Sequence, residues 1–295
     1  MDRAEASPRA YWASQLDAAH AFMDVVAGYP VEECCEPLVS LRDAATAADV
    51  DVEFSSTCIA GAFERLFYLR EGLIPPFTAV ARSMNDRGWV LKVEDGYRTR
   101  TMQKELSLAP YVLDIVLAKV MWELEGAVPD LDFLFKRLRV LTATSPKIGT
   151  HMSGSAIDIA VLQAEDRTEI DRGGPYIELS EKTPMQSPYV SAQAAENRAA
   201  ITRLMAGHGF VAYPYEFWHY SQGDAYDQLL RDSGLPARYG AVDADLETGR
   251  VLPIAAPTES LHAPEDFAVA VQEAVVRLNP RDGLTRFQAC QHSAD

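Results

Sequence analysis

Apolar residues recur along this chain at two different spacings, and the change from one to the other predicts a mixed fold. From Pro8 to Ala27 the sequence is Ala-rich, with Leu16, Phe22, Val25 and Val26 at helical spacing, which predicts an opening helix. Ala44–Val52 reads as a short connection into a strand, VDVEF. Over Ile74–Arg87, Pro75 and Pro76 suit a first helical turn, and Phe77, Val80 and Met84 follow on one face. WVLKVED, Trp89–Asp95, is a β-rich run that stops at Gly96. Pro110 opens a second strong helical pattern, which runs to Leu124 through Val112, Ile115, Val116 and Val120.

Further on, SAIDIAVL (Ser155–Leu162) predicts a strand buried on at least one face. It is followed by a long stretch rich in Gly, Pro and charge, which reads as a loop of the length that often carries function. Ala192–His208 predicts a helix ended by Gly209, followed by a strand FVAY and the run YEFWHY. Beyond Arg231 the pattern is turn-rich until a late helix over Asp266–Leu278. Strands and helices alternate without a βαβ rhythm, so the predicted class is α+β. The division expected is an N-terminal helical extension (residues 1–50), a core (51–232) and a C-terminal extension packed on it (233–295).

Composition narrows the function. Of 295 residues, 48% are hydrophobic and 24% charged, which is ordinary globular usage. The net charge of −16 disfavours contact with a phosphate backbone, so no nucleic-acid partner is expected. No apolar run approaches the length of a membrane span, and the N-terminus lacks the basic-then-apolar pattern of a secretory signal. Cys34, Cys35, Cys58 and Cys290 are too few and too irregular for a disulfide framework. They read as buried thiols, and the expected address is the cytoplasm.

Two segments carry candidate chemistry. GTHMSGSAIDIAV holds His151 and Asp158 around a Ser-Gly-Ser turn, and YEFWHYS holds Glu216 and His219. Two imidazoles and a carboxylate make a sensible ligand set for zinc with one position left open. A further acid, here Glu216, could serve as general base for metal-assisted hydrolysis. Glu216 and His219 differ by three, so on a regular strand they would face opposite ways and the chain must turn or bulge between them. His20, His208, His262 and His292 lie outside both segments and read as structural or surface groups.

These residues resemble a known family. His151, Gly154, Ser155, Ala156 and Asp158 match the H-x-x-G-x-A-x-D motif of the zinc D-alanyl-D-alanine peptidases, and Glu216, Trp218 and His219 match their E-x-W-H motif. GYRTR (Gly96–Arg100) is similar to the family's D-x-Y-R-P segment. ENRAAITRLMAGHGFVAYPYEFWHY resembles the stretch that precedes the second motif in the vancomycin-resistance-type D-Ala-D-Ala dipeptidases. The resemblance covers roughly Ser55–Tyr220. It implies a hedgehog/DD-peptidase-like fold, with a small central antiparallel sheet flanked by helices and with helical extensions at both ends.

The resemblance also implies one zinc ion per chain held by His151, Asp158 and His219, with Glu216 as the base. Arg98 would stabilise a developing oxyanion, its alternative being an ion pair with Glu94 or Asp95. Tyr97 reads as core or cleft wall and Trp218 as packing behind His219; with Ser155 and Glu178 they complete the candidate substrate contacts. Departures from the family pattern are Thr99, where the family has proline, and GGPYIE (Gly173–Glu178). There Ile177 stands where the family carries an aspartate for the substrate's free amine, and Glu178 lies one residue on. The expected activity is hydrolysis of a small dipeptide containing D-amino acids, by default D-Ala-D-Ala. The alternatives are the same chemistry on another peptide-like substrate, or a silent binding protein of the same fold, against which the intact Glu216 argues.

Overall fold

The computed structural model describes residues 7–278. The chain opens with α1 (Pro8–Gly28), β1 (Leu38–Ser40), α2 (Leu41–Ala48), β2 (Val52–Phe54) and β3 (Tyr68–Arg70). Then come α3 (Ile74–Asn85), β4 (Trp89–Asp95), α4 (Arg100–Ser107), α5 (Pro110–Glu123), α6 (Leu131–Thr142) and β5 (Ala156–Gln163). After the long loop follow α7 (Ala192–Gly207), β6 (Val211–Ala212), β7 (His219–Ser221), α8 (Ala225–Leu230), β8 (Val242–Ala244), β9 (Val251–Pro253) and α9 (Pro264–Leu278).

The α+β expectation holds. A five-stranded sheet has the order β2-β4-β5-β7-β6. All its pairings are antiparallel except β2 with β4, which is parallel, so the sheet is mixed and not wholly antiparallel as expected. The antiparallel β4–β5 pairing shifts register between Val93 and Asp95, beside the site described below. Along β5 the side chains alternate: Ile157, Ile159 and Val161 enter the main core, so Asp158 projects from the opposite face.

That main core packs the sheet against α3 (Phe77, Val80, Ala81, Met84) and α7 (Ile201, Leu204, Met205). A second core lies among α5, α6 and α9, built from Leu113, Leu117, Leu134, Leu138, Phe267 and Val271. Helix α1 is tied down by Trp12, Leu16, Met23 and Val26, all buried. The two faces of the sheet therefore differ: one packs the main core, and the other presents Asp158 to a cavity lined also by residues of α5 and α6.

Several expectations need correction. Ala44–Val52 is not a plain connection, because Leu41–Ala48 is a helix whose Ser40 side chain accepts from the Asp43 amide. The polar Ala-Thr-Ala composition hides its short apolar edge of Leu41, Ala44 and Ala45. The C-terminal segment is not only helical, since β8 and β9 form a hairpin before α9. Cys34, Cys35 and Cys58 are exposed rather than buried, in irregular chain segments with no sheet or helix to cover them. Cys290 and His292 lie outside the described residues. Among the described residues no helix is long and apolar enough to cross a membrane.

Candidate metal centre and its cavity

The three candidate ligands meet. One ligand atom from each of His151, Asp158 and His219 lies within 4.8 Å of the others, and all three residues are buried. Asp158 and His219 are register partners on β5 and β7. The Asp158 Oδ1 lies 2.9 Å from His219 Nδ1 and 3.3 Å from His151 Nε2. His151 arrives from a short 3₁₀ turn, Thr150–Ser153, which ends at Gly154 with φ +66. A side chain at Gly154 would be strained at that φ, and its Cβ would run into the Leu38 side chain. The glycine of the first motif therefore fixes the hook that aims His151 at the start of β5.

Each imidazole is anchored through its other nitrogen. His151 Nδ1 lies 2.7 Å from the Gly96 carbonyl, and His219 Nε2 lies 2.9 Å from Thr150 Oγ1. Donation from Nδ1–H to that carbonyl leaves the His151 Nε2 lone pair aimed at the cluster, the arrangement usual for metal-bound histidines. Burial pushes the Asp158 carboxyl up, but His151 and His219 outweigh it and hold it well below the usual carboxylate range. Two imidazole nitrogens and a carboxylate oxygen at one point suit zinc.

Glu216 lines the same cavity as the three ligands. Burial, only partly offset by His219, raises its carboxyl to about 7. Of the two possibilities, turn or bulge, the chain makes a turn. Glu216 N–H donates to the Tyr213 carbonyl at 3.4 Å, and His219 N–H donates to the Glu216 carbonyl at 3.4 Å, just before β7 begins. This brings residues three apart to one side.

Arg98 also lines the cavity. The ion pair with Asp95 that was its alternative reading is present, but in the interior rather than at the surface. Burial disfavours its charge, and Asp95 more than restores it, so the guanidinium stays protonated. Asp95 in turn receives Arg65 at 2.9 Å.

The substrate-contact expectations fare unevenly. Trp218 lines the cavity while being almost wholly buried. Tyr97 does not: its hydroxyl donates to the Val242 carbonyl at 2.9 Å, and its ring packs with Leu38 and Val251 in a separate core. Ser155 is also removed, donating to Asp224 Oδ2 at 2.7 Å and so tying the start of β5 to the cap of α8. Glu178 is not among the lining residues either, since its carboxylate folds back over Gly174. His208 and His262 make structural contacts with Ser83 and Ser107, and His20 sits beside Asp24.

Tyr176 was not singled out from sequence. Its hydroxyl donates to Asp158 Oδ2 at 3.1 Å, and its ring meets Trp218 edge-on at 5.8 Å. Burial, reinforced by Asp158 and Asp95, raises its pKa well above the ordinary tyrosine value, so it remains a neutral donor. Gln103 was missed as well; its Oε1 accepts from Arg98 Nη1 at 3.1 Å. The only sequence signal for it is its place one helical turn past GYRTR.

Residues 133–240 match the D-Ala-D-Ala dipeptidase family of the M15 peptidases. That segment contains His151, Asp158, Glu216 and His219 and leaves Arg98 upstream. A D-alanyl-D-alanine dipeptidase of Enterococcus faecium is 29% identical over 90 residues, 30% of this chain and 41% of that protein. The match thus spans about two fifths of the Enterococcus relative. The D-alanyl-D-alanine dipeptidase of Escherichia coli is 25% identical over 178 residues, 58% of this chain and 78% of that one. A solved structure of the vancomycin-resistance D,D-pentapeptidase VanY in complex with Zn(II) aligns with 15% identity and a TM-score of 0.34. That alignment covers 71% of this chain and 94% of VanY. Through residues 133–240 the chain is similar to the D-alanyl-D-alanine dipeptidase family.

Proposed function

We propose that this protein hydrolyses the amide bond of a small peptide containing D-amino acids, using one zinc ion held by His151, Asp158 and His219. The observation that carries the reading is the convergence, in one cavity, of a buried His-Asp-His set with a separate carboxylate, Glu216, and a guanidinium, Arg98. Zinc at such a set polarises a carbonyl and makes a water molecule more acidic. Glu216, with its carboxyl near 7, is matched to accept a proton from the attacking water and return it to the leaving amine. Arg98 is held by Asp95 as a permanent cation, suited to a developing oxyanion. Tyr176 and the anchors on the two imidazoles orient the ligand set.

The test is incubation of the zinc-supplemented protein with D,D-, L,D- and L,L-dipeptides, with and without chelator. Release of amino acid that stops with chelation supports the reading, and no release from any member of the panel sinks it. A second reading keeps the chemistry and changes the substrate. It is favoured by Ile177 at the cavity wall, where the family resemblance places an aspartate, and by Glu178 lying outside that wall.

A further inference from the structure

The cavity continues beyond the ligand cluster. Its volume is about 320 Å³, within the range of small-molecule sites. Val112 and Ile115 of α5, Leu141 of α6, and Ile177 and Leu179 of the long loop form an annex beside the cluster. The charged lining residues are Arg98, Asp158 and Glu216, all belonging to the cluster itself. The annex therefore offers no carboxylate of its own to a substrate ammonium.

Its rim is apolar and open. Tyr111, Ile115 and Ile177 are 47%, 50% and 53% exposed. One half-exposed large hydrophobic side chain is ordinary. Three around the mouth of a single cavity form a patch of the kind that marks a binding surface. Helix α5 supplies most of it. One of its faces, Leu113, Leu117 and Val120, is consumed by the core with α6 and α9. The face carrying Tyr111 and Ile115 turns to the cavity.

The geometry points to a substrate with an alkyl or aryl arm larger than alanine's methyl, attached beside the scissile amide and uncharged on the side that enters the annex. This inference rests on the amide-hydrolase reading above and names the class of substrate.

The experiment measures kcat/KM of the zinc-supplemented full chain along two series. One extends the acyl side, as N-acetyl-, N-butanoyl- and N-hexanoyl-D-Ala-D-Ala. The other extends the leaving side, with D-Ala, D-Leu and D-Phe as the second residue. In at least one series the rate constant should rise by about three- to fourfold per buried methylene. Ile115→Asp and Ile177→Asp, both at half-exposed positions, should bring the ratio of long to short member towards one. Hydrolysis of the short members with flat or falling rates along both series overturns the proposal and leaves the peptidase reading standing. Fluorescence titration of the metal-free chain with N-hexylacetamide and N-methylacetamide reads the annex without turnover. Tighter binding of the hexyl probe with no turnover of any peptide supports the annex and sinks the peptidase reading. Equal binding of the two probes overturns the annex.

Discussion

Arg98 reaches one oxygen of Asp95 through two nitrogens, with Nε at 2.8 Å and Nη2 at 2.7 Å, while Nη2 stands 3.8 Å from Asp158. The pair is buried, so Asp95 fixes where the guanidinium points as well as keeping it charged. Asp95 is also the register partner of Asp158 across β4 and β5, so the sheet sets the distance between this pair and the candidate ligand cluster. Asp95→Asn should lower kcat/KM by about ten- to a hundredfold, the scale of one charge-assisted hydrogen bond. The effect should fall on kcat more than on KM. Steady-state kinetics beside zinc analysis checks this: zinc content should stay at one per chain, and unchanged kcat would mean that Arg98 is held without Asp95.

Glu216→Gln should retain zinc and lose turnover. An amide cannot accept the water's proton, and general-base contributions are of the order of 10²–10⁴ in rate. Atomic-absorption analysis with kcat on the best dipeptide is the measurement. Near-normal kcat in the zinc-loaded variant would place the base elsewhere.

The raised carboxyl of Glu216 also predicts a pH signature in the metal-free protein. Its pKa goes from 4.5 to about 7 on folding, because burial disfavours the charged form. Between those values the folded chain holds a proton that the unfolded chain has released, so stability falls as pH rises through the window. Above about 7 both states are ionised, and the full cost of about 3 kcal/mol remains. Below 4.5 both are protonated and no cost arises. Glu216→Gln should therefore stabilise the metal-free chain in urea melts at pH 8 and change it little at pH 4.5. An equal effect at both pH values would contradict the burial argument.

Ile177→Asp tests the altered end of the site from the other direction. The parent should hydrolyse free D-Ala-D-Ala weakly and accept its N-acetyl derivative at a comparable rate. A carboxylate at position 177 should shift preference towards the free amine by about ten- to a hundredfold. The readout is the ratio of kcat/KM for the two substrates. A parent that already prefers the free amine strongly, and loses that preference on Glu178→Gln, would show that Glu178 does the work after all.

The grouping of His151, Asp158 and His219 was legible through the two motifs of the family resemblance, since their spacing alone is a weak signal; in the structure it corresponds to a hook with glycine at positive φ, then a strand, then a turn. Trp89–Asp95 was legible directly, since β-rich residues end at a glycine. The cavity wall was not. Tyr97 is adjacent to Arg98 in sequence but turns into a different core, whereas Tyr176, the tyrosine that meets Asp158, sits in a loop with no periodicity to read. Helix α6, capped by Asp130 and buried through Leu134 and Leu138, carries a readable pattern, but its place over the site is set by packing against α5. The exposure of Cys34 and Cys35 was equally hidden, because residue type argues for burial and only the irregular path of the chain decides otherwise.

The distance along the chain between the proposed ligands has a consequence for folding. His219 and Asp158 are 61 residues apart, and the carbonyl that steadies His151 lies 55 residues before it. No contiguous segment can assemble the set, and the unfolded chain offers the ion only isolated donors. Any ion that prefers the assembled set therefore adds its binding free energy to the closure of β4, β5 and β7 into one sheet. Metal affinity then becomes a gauge of long-range order. A core substitution at Met84 or Leu204, on the far side of the sheet, should register as weakened zinc retention before any residue of the site is touched.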